Sequence, residues 1–207
     1  MKWRSAELQT ECCPGCGLQI LWCCCDQIGA SSCQVPVILL LHECEPDRPT
    51  TTSKIIQKAI PDTQTFIWQR TSEPEALIKQ IEDPDTDAWL LFPADRPELE
   101  QRAQEFSPSE NRKTLLIVPD GTWKEVRKIV RKSPWLEKLP ILALNPSETT
   151  QYTLRRNSRK DEKQLCSAEA LSGALTQVGE TESGRALSRA FDLFMERYLQ
   201  QRKGIKP

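Results

Sequence analysis

Two groups of residues in this 207-residue chain have the types and spacing for chemistry. The first is a crowd of sulfur. Six of the nine cysteines lie between Cys12 and Cys25. Cys13-Pro14-Gly15-Cys16 is a C-x-x-C with a Pro-Gly turn inside it, and Cys23-Cys24-Cys25 contains a C-x-C. Cys13, Cys16, Cys23 and Cys25 can therefore offer four thiolates from one short loop, the number that tetrahedral Zn2+ takes. A closed four-sulfur site leaves no open position for water, so its role is structural. Cys12 and Cys24 compete as ligands, and inert or oxidisable thiols are the plainer alternative. A redox C-x-x-C follows a strand and opens a helix; this one does neither. Cys33, Cys44 and Cys166 have no partner pattern and read as small buried apolar residues.

The second group is Asp120-Gly121-Thr122-Trp123, which follows the apolar run Leu115-Leu116-Ile117-Val118 and precedes a helical pattern. Thr122 and Glu125 have capping-box spacing. Capping explains Gly121, Thr122 and Glu125. It does not explain an acid and a large aromatic at the end of a strand, so Asp120 is the residue with chemistry to do.

The rest of the chain must hold these groups. Val35–Leu41, Thr65–Trp68, Ala88–Phe92, Thr114–Val118 and Leu139–Leu144 read as short buried strands. Helical patterns fall at Ser53–Ile60, Pro74–Ile81, Thr122–Lys132, Ala168–Val178 and Glu182–Gln201. Alternating strands and helices predict an α/β fold with a mainly parallel sheet flanked by helices. Ligands of such sheets bind at the carboxyl ends of the strands. The division expected is a cysteine-rich zinc knuckle over 1–34 and an α/β domain over 35–207.

Composition narrows the function. Lys and Arg number 28 and Asp and Glu 29, so no global charge marks a nucleic-acid binder. No apolar run approaches the ~18 residues of a membrane span, and the first residues lack a secretory core. An odd number of cysteines packed at one end argues for a reducing, cytoplasmic setting. One histidine, His42, leaves proton transfer to a carboxylate.

The ordered elements resemble the DTW-domain family, the tRNA-uridine aminocarboxypropyltransferases. The resemblance rests on Cys13, Cys16, Cys23 and Cys25; on Glu45-Pro46-Asp47-Arg48-Pro49; on Phe92-Pro93-Ala94; and on Asp120 to Lys132. It continues through Tyr152-Thr153-Leu154-Arg155, Cys166-Ser167-Ala168-Glu169 and Phe194 to Tyr198. The chain departs from the family pattern at Thr51, where the family has Asn, at Ser53, where it has Gly, and at Thr150 and Ser167, where the hydroxyl type is exchanged.

The resemblance implies transfer of the 3-amino-3-carboxypropyl group from S-adenosylmethionine to N3 of a tRNA uridine. It also implies a SPOUT-like fold with a trefoil knot around the cofactor. N3–H is a weak acid, so Asp120 is expected as base or as electrostatic partner of the cofactor. Cofactor contacts are expected from Phe92, Pro93, Ala94, Asp120, Gly121, Thr122, Trp123, Leu144, Leu165, Cys166, Ser167 and Glu169. Ser167 reads as a helix cap and Trp123 equally as core packing. Arg48, Lys124, Arg127, Lys128, Arg131, Arg155 and Arg156 are expected to track RNA phosphates. The partner expected is tRNA, with no DNA and no membrane. The alternatives are a SPOUT-type RNA methyltransferase and a non-enzymatic zinc-knuckle RNA-binding protein.

Overall fold

The fold is a computed structural model that describes residues 11–48, 51–144 and 165–207. Six strands make one sheet: β1 (Val37–His42), β2 (Gln64–Trp68), β3 (Thr86–Leu90), β4 (Ala103–Gln104), β5 (Lys113–Asp120) and β6 (Ile141–Leu142). Their order is β2-β1-β5-β3-β6-β4, and every pair is parallel. The helices are α1 (Ser53–Ala59), α2 (Glu75–Glu82), α3 (Pro97–Glu100), α4 (Trp123–Arg131), α5 (Ser167–Gln177) and α6 (Thr181–Lys203).

The continuous apolar run of β1 is explained by its period of two. Val37, Leu39 and Leu41 enter an apolar cluster with α1, α5 and α6. Ile38 and Leu40 face the other way and pack with Leu77 of α2 and with Val126, Ile129 and Val130 of α4. A sheet covered on both faces selects apolar side chains at every position. β5 does the same from Leu115 to Val118, and its last residues, Pro119 and Asp120, stay buried.

The mainly parallel α/β sheet flanked by helices agrees with expectation. Differences lie at the edges. β1 starts two residues later than read and takes in His42, while β6 is reduced to Ile141–Leu142. α3 and β4 had no expected counterpart: four and two residues are too few to show a period. The basic segment with Arg155 and Arg156, and the stretch that decides a knot, lie outside the described residues.

The cysteine loop folds tightly. Cys12 bridges Gln19, and the Cys13 amide donates to the Leu18 carbonyl at 2.6 Å. Leu18 and Trp22 are buried in the cluster that contains Phe191 and Phe194 of α6. Two hydrogen bonds fasten the loop to the end of the chain: the Trp22 indole N–H donates to the Ile205 carbonyl at 2.8 Å, and the Gln19 amide donates to Gln201 Oε1 at 2.9 Å. Helices α5 and α6 meet closely at Gly184, where a Cβ would lie 2.8 Å from the Ser172 carbonyl.

Candidate active site

Asp120 ends β5 opposite Leu41 of β1, at the carboxyl edge of two central strands. It is 2 % exposed. The Ser167 hydroxyl donates to its Oδ1 at 2.6 Å, and the Gly121 amide donates to the same oxygen at 3.0 Å. The Thr51 hydroxyl lies 3.5 Å from Oδ2. Thr51 and Ser53 exchange a hydrogen bond of 2.7 Å. Segments distant in sequence thus converge on one carboxylate. The loop after β1 brings Thr51, β5 brings Asp120, and the first turn of α5 brings Ser167.

Ser167 is therefore not the helix cap expected of it. Cys166 occupies the cap position, and Glu169 receives the Cys166 amide at 2.8 Å. Ser167 stands one residue inside the helix, which leaves its hydroxyl for Asp120. The capping box at α4 is present as expected: Thr122 Oγ1 accepts from the Glu125 amide, and Glu125 Oε2 accepts from the Thr122 amide at 2.8 Å.

Glu125 does more than cap. Arg48 clamps both of its oxygens, at 2.6 and 2.7 Å, and also pairs with the fully buried Glu45. This fork, helped by Thr122 and opposed by burial, holds the Glu125 carboxyl at about 2. The same pairing raises the Arg48 guanidinium further. His42 Nδ1 accepts from the Cys44 amide at 3.3 Å and stands 3.8 Å from Glu125 Oε1. Its ring packs on Trp68 at 5.4 Å. Two carboxylates, Glu45 and Glu125, and the Arg48 guanidinium thus lie together behind the Asp120 turn. Sequence reading gave Arg48 to RNA; its guanidinium is occupied by acids of its own chain. Cys44, read as buried, is exposed.

The other expected site residues divide. Gly121 is buried and Thr122 half-buried at the turn. Trp123 is half-buried and belongs to neither apolar cluster; Arg127 sits over its ring at 6.0 Å. Of the two readings open for Trp123, core packing is thus not seen among the described apolar clusters. Phe92 is buried with Ile38, Leu40 and Val130, Pro93 is exposed, and Ala94 packs beside them. Leu144 and Cys166 pack against the other cluster, and Leu165 is half-buried. Burial and Glu169 push the Cys166 thiol well above its ordinary value. On α4, Lys124 and Arg131 are exposed, Arg127 bridges to Asp95 at 2.9 Å, and Lys128 lies over Trp68 at 5.4 Å.

At the knuckle, one ligand atom from each of Cys13, Cys16, Cys23 and Cys25 lies within 4.8 Å of the others. Sulfur separations of 3.3, 3.7 and 3.9 Å are recorded for Cys23–Cys13, Cys13–Cys25 and Cys16–Cys23. A tetrahedron with Zn–S of about 2.3 Å has S···S edges of about 3.8 Å. The Cys24 thiol, by donating to Cys16, brings that group down to about 4. Burial pushes Cys25 up, and donation to Cys16 together with burial pushes Cys24 up. Four thiolates in this space need a cation between them. The cluster can hold a metal ion such as Zn2+. At Gly15 a Cβ would stand 2.8 Å from Cys25 Sγ, so the turn inside the C-x-x-C requires glycine.

A parallel sheet with an acid at the end of a central strand, beside a four-thiol knuckle, defines an α/β protein with a strand-end site. The DTW domain model matches residues 10–199, and the chain belongs to the DTW-domain family, whose function is tRNA modification. No solved structure matches the chain. No helix among the described residues is long and apolar enough to cross a membrane.

Proposed function

We propose that this chain transfers the 3-amino-3-carboxypropyl group of S-adenosylmethionine to N3 of a tRNA uridine, with release of 5′-methylthioadenosine. The observation that carries the reading, within a tRNA-modifying family, is the buried Asp120 with Ser167 and Thr51 on its two oxygens. S-adenosylmethionine, when bound, supplies an electrophilic methylene beside a cationic sulfur. Asp120 and the loops at its strand end, with Gly121, Thr122, Trp123, Ser167 and Glu169, hold the donor.

Asp120 takes up the proton of N3 as the new N–C bond forms. Ser167 and Gly121 hold Oδ1 of the carboxylate and fix its plane, and the Thr51 hydroxyl stands at the longer distance from Oδ2. Orientation is the larger share of the rate, because the site must aim the methylene and not the methyl at N3. Zn2+ at Cys13, Cys16, Cys23 and Cys25 has a structural role and touches no reacting atom. Lys124, Lys128 and Arg131 on α4 receive RNA phosphates beside the Asp120 turn.

The test is incubation of the purified chain with S-adenosylmethionine and unmodified tRNA, followed by mass spectrometry of the nucleosides. The expected product is aminocarboxypropyl-uridine with methylthioadenosine in stoichiometric amount. A methyl adduct with S-adenosylhomocysteine, or no adduct at all, overturns the proposal.

A further inference from the structure

A cavity of about 350 Å³ opens on the sheet face away from α5 and α6. Phe92, Leu99 and Val130 line it with apolar surface, and all three are buried in the cluster beneath α4. Arg96, Arg102, Arg127 and Arg131 surround it, with Glu98 and Glu137 as the acids in the lining. The volume falls at the small end of ligand pockets, about 300–1,000 Å³. Four guanidiniums around an apolar floor are the wrong lining for an apolar ligand. They suit one that combines a flat hydrophobic body with negative charge.

The four arginines are not equivalent. Arg102 donates to the carbonyls of Leu136 and Leu139, at 2.7 to 3.1 Å, and is a fixed wall. Arg127 is held by an exposed bridge to Asp95, which an anion replaces at little cost. Its Nε is buried and has no hydrogen-bond partner among the described residues. Arg96 stands 4.0 Å from Glu98, at the limit of an ion pair, and Arg131 is exposed. Arg127 also reaches over the ring of Trp123, so the cavity adjoins the Asp120 turn.

We infer that this cavity is a subsite for one nucleotide of the RNA substrate, neighbouring the modified uridine. The base rests on Phe92 and Val130, and the phosphate is taken by Arg96, Arg127 and Arg131. The inference rests on the reading of tRNA as substrate. It adds that the RNA is gripped through an unstacked nucleotide, which directs the enzyme to loops and away from paired stems.

The experiment uses the full chain with Arg96→Ala and Arg131→Ala, singly and together. Both side chains lie on the surface, so both variants fold. tRNA affinity is measured by filter binding from 50 to 200 mM salt, and S-adenosylmethionine affinity by equilibrium dialysis. Each substitution is expected to weaken tRNA binding about three- to tenfold, and the double variant to lower the log–log salt slope by up to about 0.7, the share of one phosphate on a single strand. Cofactor affinity is expected to stay within twofold. Uridine 5′-monophosphate is expected to displace tRNA from the wild type at concentrations where inorganic phosphate does not. Unchanged tRNA affinity and slope in the double variant overturn the subsite, as does equal displacement by phosphate and nucleotide. Failure of the wild type to form the uridine adduct, with tRNA binding still sensitive to Arg96 and Arg131, sinks the transfer reaction and leaves the subsite standing.

Discussion

Asp120 owes its position to groups that sequence reading assigned elsewhere. Thr51 and Ser167 are both points of departure from the family pattern, and both place a hydroxyl on this carboxylate. Asp120→Asn keeps the size and loses the charge and the basic oxygen. We expect transfer to fall by 10² to 10⁴-fold, the usual contribution of a positioned base, with tRNA affinity and Tm retained. Single-turnover transfer on bound tRNA measures it. Ser167→Ala is expected to cost roughly tenfold, since it frees the rotation of the carboxylate without removing it. The Glu125 carboxyl, at about 2 in the fold against 4.5 in an open chain, stabilises the fold at neutral pH. That stability is complete above about 4.5 and disappears as pH falls toward 2. Urea midpoints between pH 5 and pH 2.5 are therefore expected to drop more steeply in the wild type than in Glu125→Gln. The Asp120 turn was legible because an acid at the end of an apolar run is anomalous. The partners of Asp120 were not, because hydroxyl residues are common and only the fold says which ones face it. The pairing of Arg48 with Glu125 escaped for a like reason: an ion pair between positions 77 apart leaves no spacing signal.

At the scale of elements, packing of α5 against α6 is set by Gly184. A Cβ there meets the Ser172 carbonyl and Thr176 Oγ1, both at 2.8 Å, and backbone cannot give way cheaply. Gly184→Val is expected to destabilise by about 1–3 kcal/mol, read as a fall in the urea midpoint. Because α5 carries Ser167, the same variant is expected to lose transfer activity out of proportion to its stability. The long elements were readable from their period, α6 most clearly. The short α3 and β4 were not, since about one helical turn or a two-residue strand leaves no pattern. Helix α4 illustrates both outcomes. Its apolar stripe Val126, Ile129 and Val130 is buried as the spacing implies, while Trp123 at its first turn is half-buried and outside both apolar clusters.

For the whole molecule, the knuckle and the α/β layers share one apolar cluster, with Leu18 and Trp22 against the aromatic face of α6. Removing the metal therefore reaches beyond the loop. Chelation is expected to lower Tm by roughly 10 °C, about 3–5 kcal/mol for a chain of this size, followed by calorimetry and restored with Zn2+. Cys16→Ser is expected to reproduce the loss without a chelator. The fastening of Trp22 to the Ile205 carbonyl spans 183 positions. During synthesis Trp22 and the thiols around it leave the ribosome well before the carbonyl that receives the indole, 183 positions further on. While those 183 positions are added, the sulfur cluster must keep its shape without this strut. The interval in which it is open to oxidants or to the wrong ion is fixed by the speed of the ribosome, so early capture of the right ion guards the nascent protein.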